Sequence, residues 1–195
     1  MSRIQVMFNP KTIALIGATD REGAVGRTTL ENLLRSKERK IFPVNPHMDK
    51  VLDVDTYPSI AVVPEHVDLA VVATPARSVP VVIEECGKAG VEGVVIISAG
   101  FKEIGEEGIQ LESEIERIRK KYGMRIMGPN CLGFVRPPLD FNATFLRGKP
   151  PAGDIAFISQ SGALGSAILD WAISAGIGFS MFASLGSMID VDLAT

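Results

Sequence analysis

The chain has 195 residues, 46% of them hydrophobic and 22% charged, with a formal net charge of −3. That length holds one good core, or one core and part of another. The absence of a basic stripe argues against a nucleic-acid surface, and no apolar run reaches the length of a membrane span. A soluble, reducing, cytoplasmic setting is the expectation, with neither nucleic acid nor membrane as a partner. Cys86 and Cys131 lie far apart and lack metal-ligand spacing, which speaks against a disulfide framework or a zinc site.

Residues 1–10 read as a short lead-in ended by Pro10. The apolar run Thr12–Ile16, closed by Gly17, predicts a buried strand of a parallel sheet. Gly17-Ala18-Thr19 and a polar turn lead into a helix expected over Val25–Lys37, with Leu30, Leu33 and Leu34 at helical spacing. Such a turn brings backbone N–H groups, Thr19 and a helix start to one place. A helix N-terminus has unpaired donors and the positive end of a dipole, so this is a place for an anion. The bases Arg35, Lys37, Arg39 and Lys40 gather where they suit the other end of that dipole and need no ligand.

Further strands are expected at Lys40–Val44 (closed by Asn45-Pro46), Val67–Thr74, Gly93–Ser98 and Met124–Met127, with helices over Val79–Ala89 and Ile104–Tyr122. The last helix runs from acid to base, ends at Gly123 and reads as a solvated charged face. Strand alternating with helix predicts an α/β fold, a Rossmann-like doubly wound parallel sheet with its strand ends along one ligand-facing edge. Between Gly128 and Gly153 the pattern breaks around Pro137-Pro138 and Pro150-Pro151. We therefore expect a domain over 1–130, a linker over 131–153 and a second α/β domain opening at 154. Its elements are Asp154–Ser159, Gly162–Ala175 and Phe179–Ser184, then a turn at Gly186–Asp190; over 154–195 it reads as cut short, leaving sheet edges uncovered.

The first glycine loop has Gly17, Gly23 and Gly26 but not G-x-G-x-x-G. An NAD site also wants an acid where the second strand ends, and Val44-Asn45-Pro46 has none, although Asp49 and Asp53 keep that reading open. The glycines could instead serve only a tight turn. Ser159-Gln160-Ser161-Gly162 repeats the strand-to-helix pattern, as a phosphoryl or carboxylate site or as a plain N-cap; it lacks G-x-S-x-G. His47 and His66 read as surface or loop residues, and Cys131 as a small buried thiol. Asn130 and Asn142 are short amides that could orient a carboxylate or a backbone turn.

Five blocks then stand in a telling order: Gly17-Ala18-Thr19-Asp20-Arg21-Glu22-Gly23 with Val25-Gly26, Phe42-Pro43-Val44-Asn45-Pro46, Ile97-Ser98-Ala99-Gly100-Phe101, Gly128-Pro129-Asn130-Cys131-Leu132-Gly133, and Ser159-Gln160-Ser161-Gly162-Ala163-Leu164. Together they resemble the ADP-forming acyl-CoA synthetases, the acetate–CoA ligases related to the alpha subunit of succinyl-CoA synthetase. The resemblance implies a Rossmann-like CoA-binding domain followed by a flavodoxin-like ligase domain. It implies that Gly17 and the loop Thr19-Asp20-Arg21-Glu22 meet the CoA phosphates. Asn45, Pro46, Ile97, Ser98 and Ala99 would border the nucleotide and pantetheine. His47 and Lys50 are the candidates for a phosphate contact that a lysine makes in relatives.

Asn130, Ser159, Ser161 and Gly162 would form the edge where an acyl phosphate is attacked and a phosphohistidine cradled. That histidine matches neither His47 nor His66, so no catalytic residue is expected here. ADP or ATP with Mg would enter only through an ATP-grasp domain or a beta-type partner subunit, in an oligomer. Ala99 and Ser166, where succinyl enzymes carry Glu and Tyr, point to the acetate branch. The rivals are a non-catalytic CoA-binding or regulatory protein and an NAD-binding Rossmann protein.

Overall fold

The computed structural model describes residues 2–194. In chain order the elements are α1 (Arg3–Phe8), β1 (Thr12–Ile16), α2 (Val25–Leu33), β2 (Lys40–Val44), the short β3 (Lys50–Val51) and β4 (Val54–Asp55), β5 (Leu69–Val72), α3 (Val79–Lys88), β6 (Gly93–Ile96), α4 (Glu106–Tyr122) and β7 (Arg125–Met127). Then come β8 (Gly133–Arg136), β9 (Phe141–Thr144), β10 (Ala152–Ser159), α5 (Gly162–Ala175) and β11 (Phe179–Ser184).

Five strands form a parallel sheet in the order β2-β1-β5-β6-β7. Outside β2, Tyr57 makes a one-residue parallel bridge to Val44, its N–H donating to Pro43 O and its carbonyl accepting from Asn45 N, both at 2.9 Å. Counting that bridge as a residual third strand gives the order 3-2-1-4-5-6 of a dinucleotide-binding sheet. Alternate residues go to opposite faces, as strand geometry requires. Ile13, Leu15, Leu69 and Val71 join one core, and Ala14, Ile16, Ala70 and Val72 the other. Both faces are therefore buried, which is why these strands read as continuous apolar runs.

The second face is covered by α3 and α4 through Ile83, Cys86, Ile115 and Ile118. The first is covered by Met7 of α1, by Leu30 and Leu33 of α2, and by Phe134, Phe141 and Ala143. Those last three lie where a linker was expected. Residues 131–153 are not without structure: β8 and β9 pair antiparallel and join β11, which pairs with β10, in a second sheet ordered β10-β11-β8-β9. On β8 the pleat turns Phe134 to the first core and Val135 to a third, built with Leu169, Ala172, Phe179 and Phe182. Phe134 meets Phe8 and Phe141 at centroid distances of 5.0 and 5.2 Å. The prolines hid this hairpin because Pro137 and Pro138 sit in the turn that joins its strands, not in the strands.

Polar ties reinforce the join. Buried Asn32 of α2 donates to the carbonyls of Thr144 and Leu146 at 2.9 and 2.8 Å. Arg39 donates to Leu139 O at 2.8 Å and lies 4.9 Å over the Phe141 ring. Three further expectations are corrected. The lead-in is a helix with a capping box between Ser2 and Gln5. The helix expected to Lys37 ends at Leu33. The face of α4 is not wholly solvated, because Arg119 pairs with Asp190 at 3.0 Å. Among the described residues no helix is long and apolar enough to cross a membrane.

Candidate functional site

A cleft of about 1340 Å³ opens at the C-terminal ends of β1, β2, β5 and β6 and runs on to the start of α5. It exceeds the usual size of a small-ligand pocket, so it suits an extended molecule. Its floor is set by two glycines. Gly17 has φ +95°, and a Cβ there would lie 2.6 Å from Ala73 O. A Cβ on Gly26 would lie 2.1 Å from Gly17 O, so the first turn of α2 sits directly on the strand end. Ala24, the N-cap of α2, offers no side-chain acceptor; its carbonyl takes Arg27 N at 3.1 Å, and the N–H groups of Val25 and Gly26, which line the cleft, are left to it.

The loop above them sorts its charges. Arg27 is engaged by Glu31 at 2.9 Å and by Asp20 O at 2.6 Å. Arg21 lines the cleft and its guanidinium has no hydrogen-bond or ion-pair partner among the described residues. Thr19 also lines it, its Oγ1 accepting from Arg21 N at 3.3 Å. Asp20 and Glu22 belong to the same loop without lining the cleft. Asn45 donates to Ala18 O at 2.7 Å and accepts from His47 N at 2.8 Å, so it pins the end of β2 to the glycine loop. Pro46 and His47 line the cleft; Lys50 does not, and pairs with Asp55 at 3.4 Å.

Across the cleft, Ile97, Ser98 and Ala99 follow β6, and Ser98 Oγ donates to Thr74 O at 2.6 Å. Thr74 Oγ1, just past the end of β5, is buried with no hydrogen-bond partner among the described residues. Asn130 (φ +55°) donates its N–H to Ser98 O at 2.9 Å. Ser161 caps α5 by accepting from Leu164 N at 3.2 Å, and it and Gly162 bring this second helix N-terminus to the same cleft. Ser159 stands back from the cleft, accepting from Ser161 N at 3.1 Å.

Sequence reasoning missed Lys102 and Glu103, because the short turn that carries them shows no period. Lys102 Nζ donates to Ser187 O at 2.9 Å, and Glu103 accepts from Gly100 N at 2.6 Å. Burial opposes ionisation of Glu103, but the N–H groups of Gly100, Glu103 and Phe101 overcome it and hold the carboxyl below its ordinary value. His66 lies ahead of β5, at the opposite edge of the sheet, 3.8 Å from both Asp68 and Glu92.

Cys131 lines the cleft but is buried, and burial pushes its thiol up to about 12 from an ordinary 9.0. The folded thiol stays protonated where the unfolded chain's ionises, so this group's contribution to stability declines as pH rises from about 9 towards 12. Iodoacetamide at about pH 8 is expected to leave Cys131 unlabelled until denaturant is added. Rapid labelling of the native chain, read by mass spectrometry, would show the thiol to be open.

Two helix N-termini, an arginine unpaired among the described residues and glycines that admit close backbone approach meet in one cleft of a Rossmann-type sheet, an arrangement whose chemistry suits a phosphate group. The chain belongs to the CoA binding domain family, whose model matches residues 11–137. Residues 152–195 match the succinyl-CoA ligase like flavodoxin domain. The chain is similar to acetate–CoA ligase [ADP-forming] I of Archaeoglobus fulgidus, 47% identical over 95% of this chain and 27% of that one. It is also similar to the alpha subunit of acetate–CoA ligase [ADP-forming] II of Pyrococcus furiosus, 45% identical over 98% of this chain and 42% of that one. A solved structure of Candidatus Korarchaeum cryptofilum dinucleotide forming acetyl-coenzyme A synthetase 1, in complex with phosphate and ADP, superposes with a TM-score of 0.93. It is 41% identical and covers 97% of this chain and 41% of that chain. The chain thus spans between about a quarter and two fifths of these relatives.

Proposed function

We propose that the chain is the CoA-binding portion of an ADP-forming acid–CoA ligase of the acetate type. Its cleft holds CoA, with the phosphates over the first turn of α2 beside Thr19 and Arg21. The thiol end is led past Ile97–Ala99 towards Asn130 and the start of α5, where an acyl phosphate would meet it. The observation that carries this reading is the convergence of the α2 and α5 N-termini on one cleft: one suits the phosphates of CoA, the other the phosphoryl group of an acyl phosphate. Ser161 caps α5 by taking Leu164 N on its hydroxyl, which leaves the N–H groups of Gly162 and Ala163, both lining the cleft, at that helix start.

The division at 1–130 and 154–195, with the hairpin between them, belongs to the same proposal. So do the nucleotide and Mg chemistry, which would come from an ATP-grasp domain or a beta-type subunit in a larger assembly in the cytoplasm. NAD is disfavoured because β2 is followed by an asparagine that serves the loop, and among the described residues no acid lines the cleft beside it.

Calorimetric titration with CoA, dephospho-CoA and NADH tests the reading. Saturable CoA binding without NADH binding is expected. Thr19→Ala together with Arg21→Ala should weaken CoA about tenfold or more, since charge-assisted contacts are each worth about 1.5–3 kcal/mol. NADH binding alone would overturn the CoA reading. Undiminished CoA affinity in the double variant would sink the placement of the phosphates.

A further inference from the structure

The cleft is lined by two carboxylates, and their situations differ. Glu103 is occupied by the backbone N–H of Gly100, whereas the carboxylate of Glu85, a half-buried residue, has no hydrogen-bond or ion-pair partner among the described residues. A carboxylate that lines a cleft without a donor is available to accept from a ligand that brings one. Ser78, Val82 and Glu85 fall at helical spacing on one side of α3, and all three line the cleft. Facing them are Pro46 and Pro58, after β2 and after the Tyr57 bridge; the turn at Ile60–Val62 packs on α3, so these walls are neighbours.

The arm so formed has flat, apolar sides from Pro46, Pro58 and Val82, and an acceptor at Glu85. Its charge is opposite to that of the glycine-loop end, where Arg21 and the α2 N-terminus favour phosphate. Phosphate is repelled from Glu85, and a neutral ring that carries an N–H donor fits. In a sheet of this order the base end of a nucleotide lies beyond the end of the second strand, on this side of the phosphates.

We infer that Glu85 reads the base: its carboxylate accepts the exocyclic 6-amino group of adenine, so that the cleft takes an adenine nucleotide and rejects a 6-keto purine. This rests on the CoA reading above. The selection is by position, because where adenine offers its 6-amino N–H, hypoxanthine or guanine sets a carbonyl oxygen against the carboxylate, and the ring must shift to offer N1–H instead.

The test is titration of the chain with CoA and with its deaminated analogue, in which hypoxanthine replaces adenine, for wild type, Glu85→Gln and Glu85→Ala. Wild type is expected to prefer CoA by about tenfold to a hundredfold, the range of a hydrogen bond to a charged group. Both variants should bring the two affinities within about threefold of each other, mainly by weakening CoA, with melting temperatures close to wild type because Glu85 has no partner to lose. If wild type binds CoA but does not distinguish the analogue, or if Glu85→Ala keeps the preference, the role of Glu85 is overturned while the CoA reading stands. If wild type binds neither molecule, the CoA reading fails and takes this inference with it.

Discussion

Gly26→Ala is expected to lower CoA affinity about a hundredfold and to destabilise the fold by about 2 kcal/mol, the scale of inserting a methyl group where packing is already tight. The new Cβ would stand 2.1 Å from Gly17 O, a backbone atom that cannot swing aside like a side chain. Gly17 cannot retreat either, since its own Cβ position lies 2.6 Å from Ala73 O, so β1 is hemmed in by β5. The strain is relieved only by lifting the start of α2 off the strand end, which moves the donors that face the phosphates. Gly23→Ala is the control: its φ of +75° strains an alanine by about 1–2 kcal/mol, but no atom lies within 4 Å. It should lose stability and keep CoA affinity to within a few-fold. Thermal melts and calorimetry on both variants separate the two effects. A folded Gly26→Ala chain with wild-type affinity would mean that the α2 N-terminus is not where the phosphates sit.

The parallel sheet was legible because its strands are buried on both faces and bounded by glycine or proline, as Thr12–Ile16 before Gly17 shows. That Gly17, Thr19 and Arg21 come together was legible, because strand, turn and helix start are contiguous in the chain, and all three line the cleft. What could not be read depends on contacts distant in sequence. The hairpin of β8 and β9 has strands of four residues separated by prolines, and its reason for forming is the sheet face that Phe134 and Phe141 cover. Asn45 looked like a candidate ligand contact, and only its bond to Ala18 O reveals a pin between β2 and the loop. Lys102 and Glu85 carry no local signal at all; the cleft collects them from separate elements.

Asp190→Ala is expected to cost about 3 kcal/mol or more and to loosen one wall of the cleft. The Asp190 side chain is only 9% exposed and receives Arg119 at 3.0 Å and Arg125 at 2.8 Å, with Ile126 N–H at 2.8 Å. Deleting the shared anion leaves two arginines, 19% and 24% exposed, facing each other without a counter-charge, and breaking such pairs typically costs about 3–5 kcal/mol. The segment it anchors is the one that presents Gly186 and Ser187 to the cleft. Ser187 donates to Pro129 O at 2.8 Å and accepts from Lys102, and Val191 N donates to Ile126 O at 3.0 Å. Asp190→Asn keeps an acceptor for Ile126 while removing the charge, so it should fall between wild type and alanine. Urea denaturation gives the energies, and hydrogen exchange at Ser187 and Val191 reports whether this segment opens before the sheet does. A loss below about 1 kcal/mol in the alanine variant would show that solvent compensates the arginines. The wall would then be held by Val191 and the backbone bonds to Pro129 and Ile126, and CoA affinity should be unchanged.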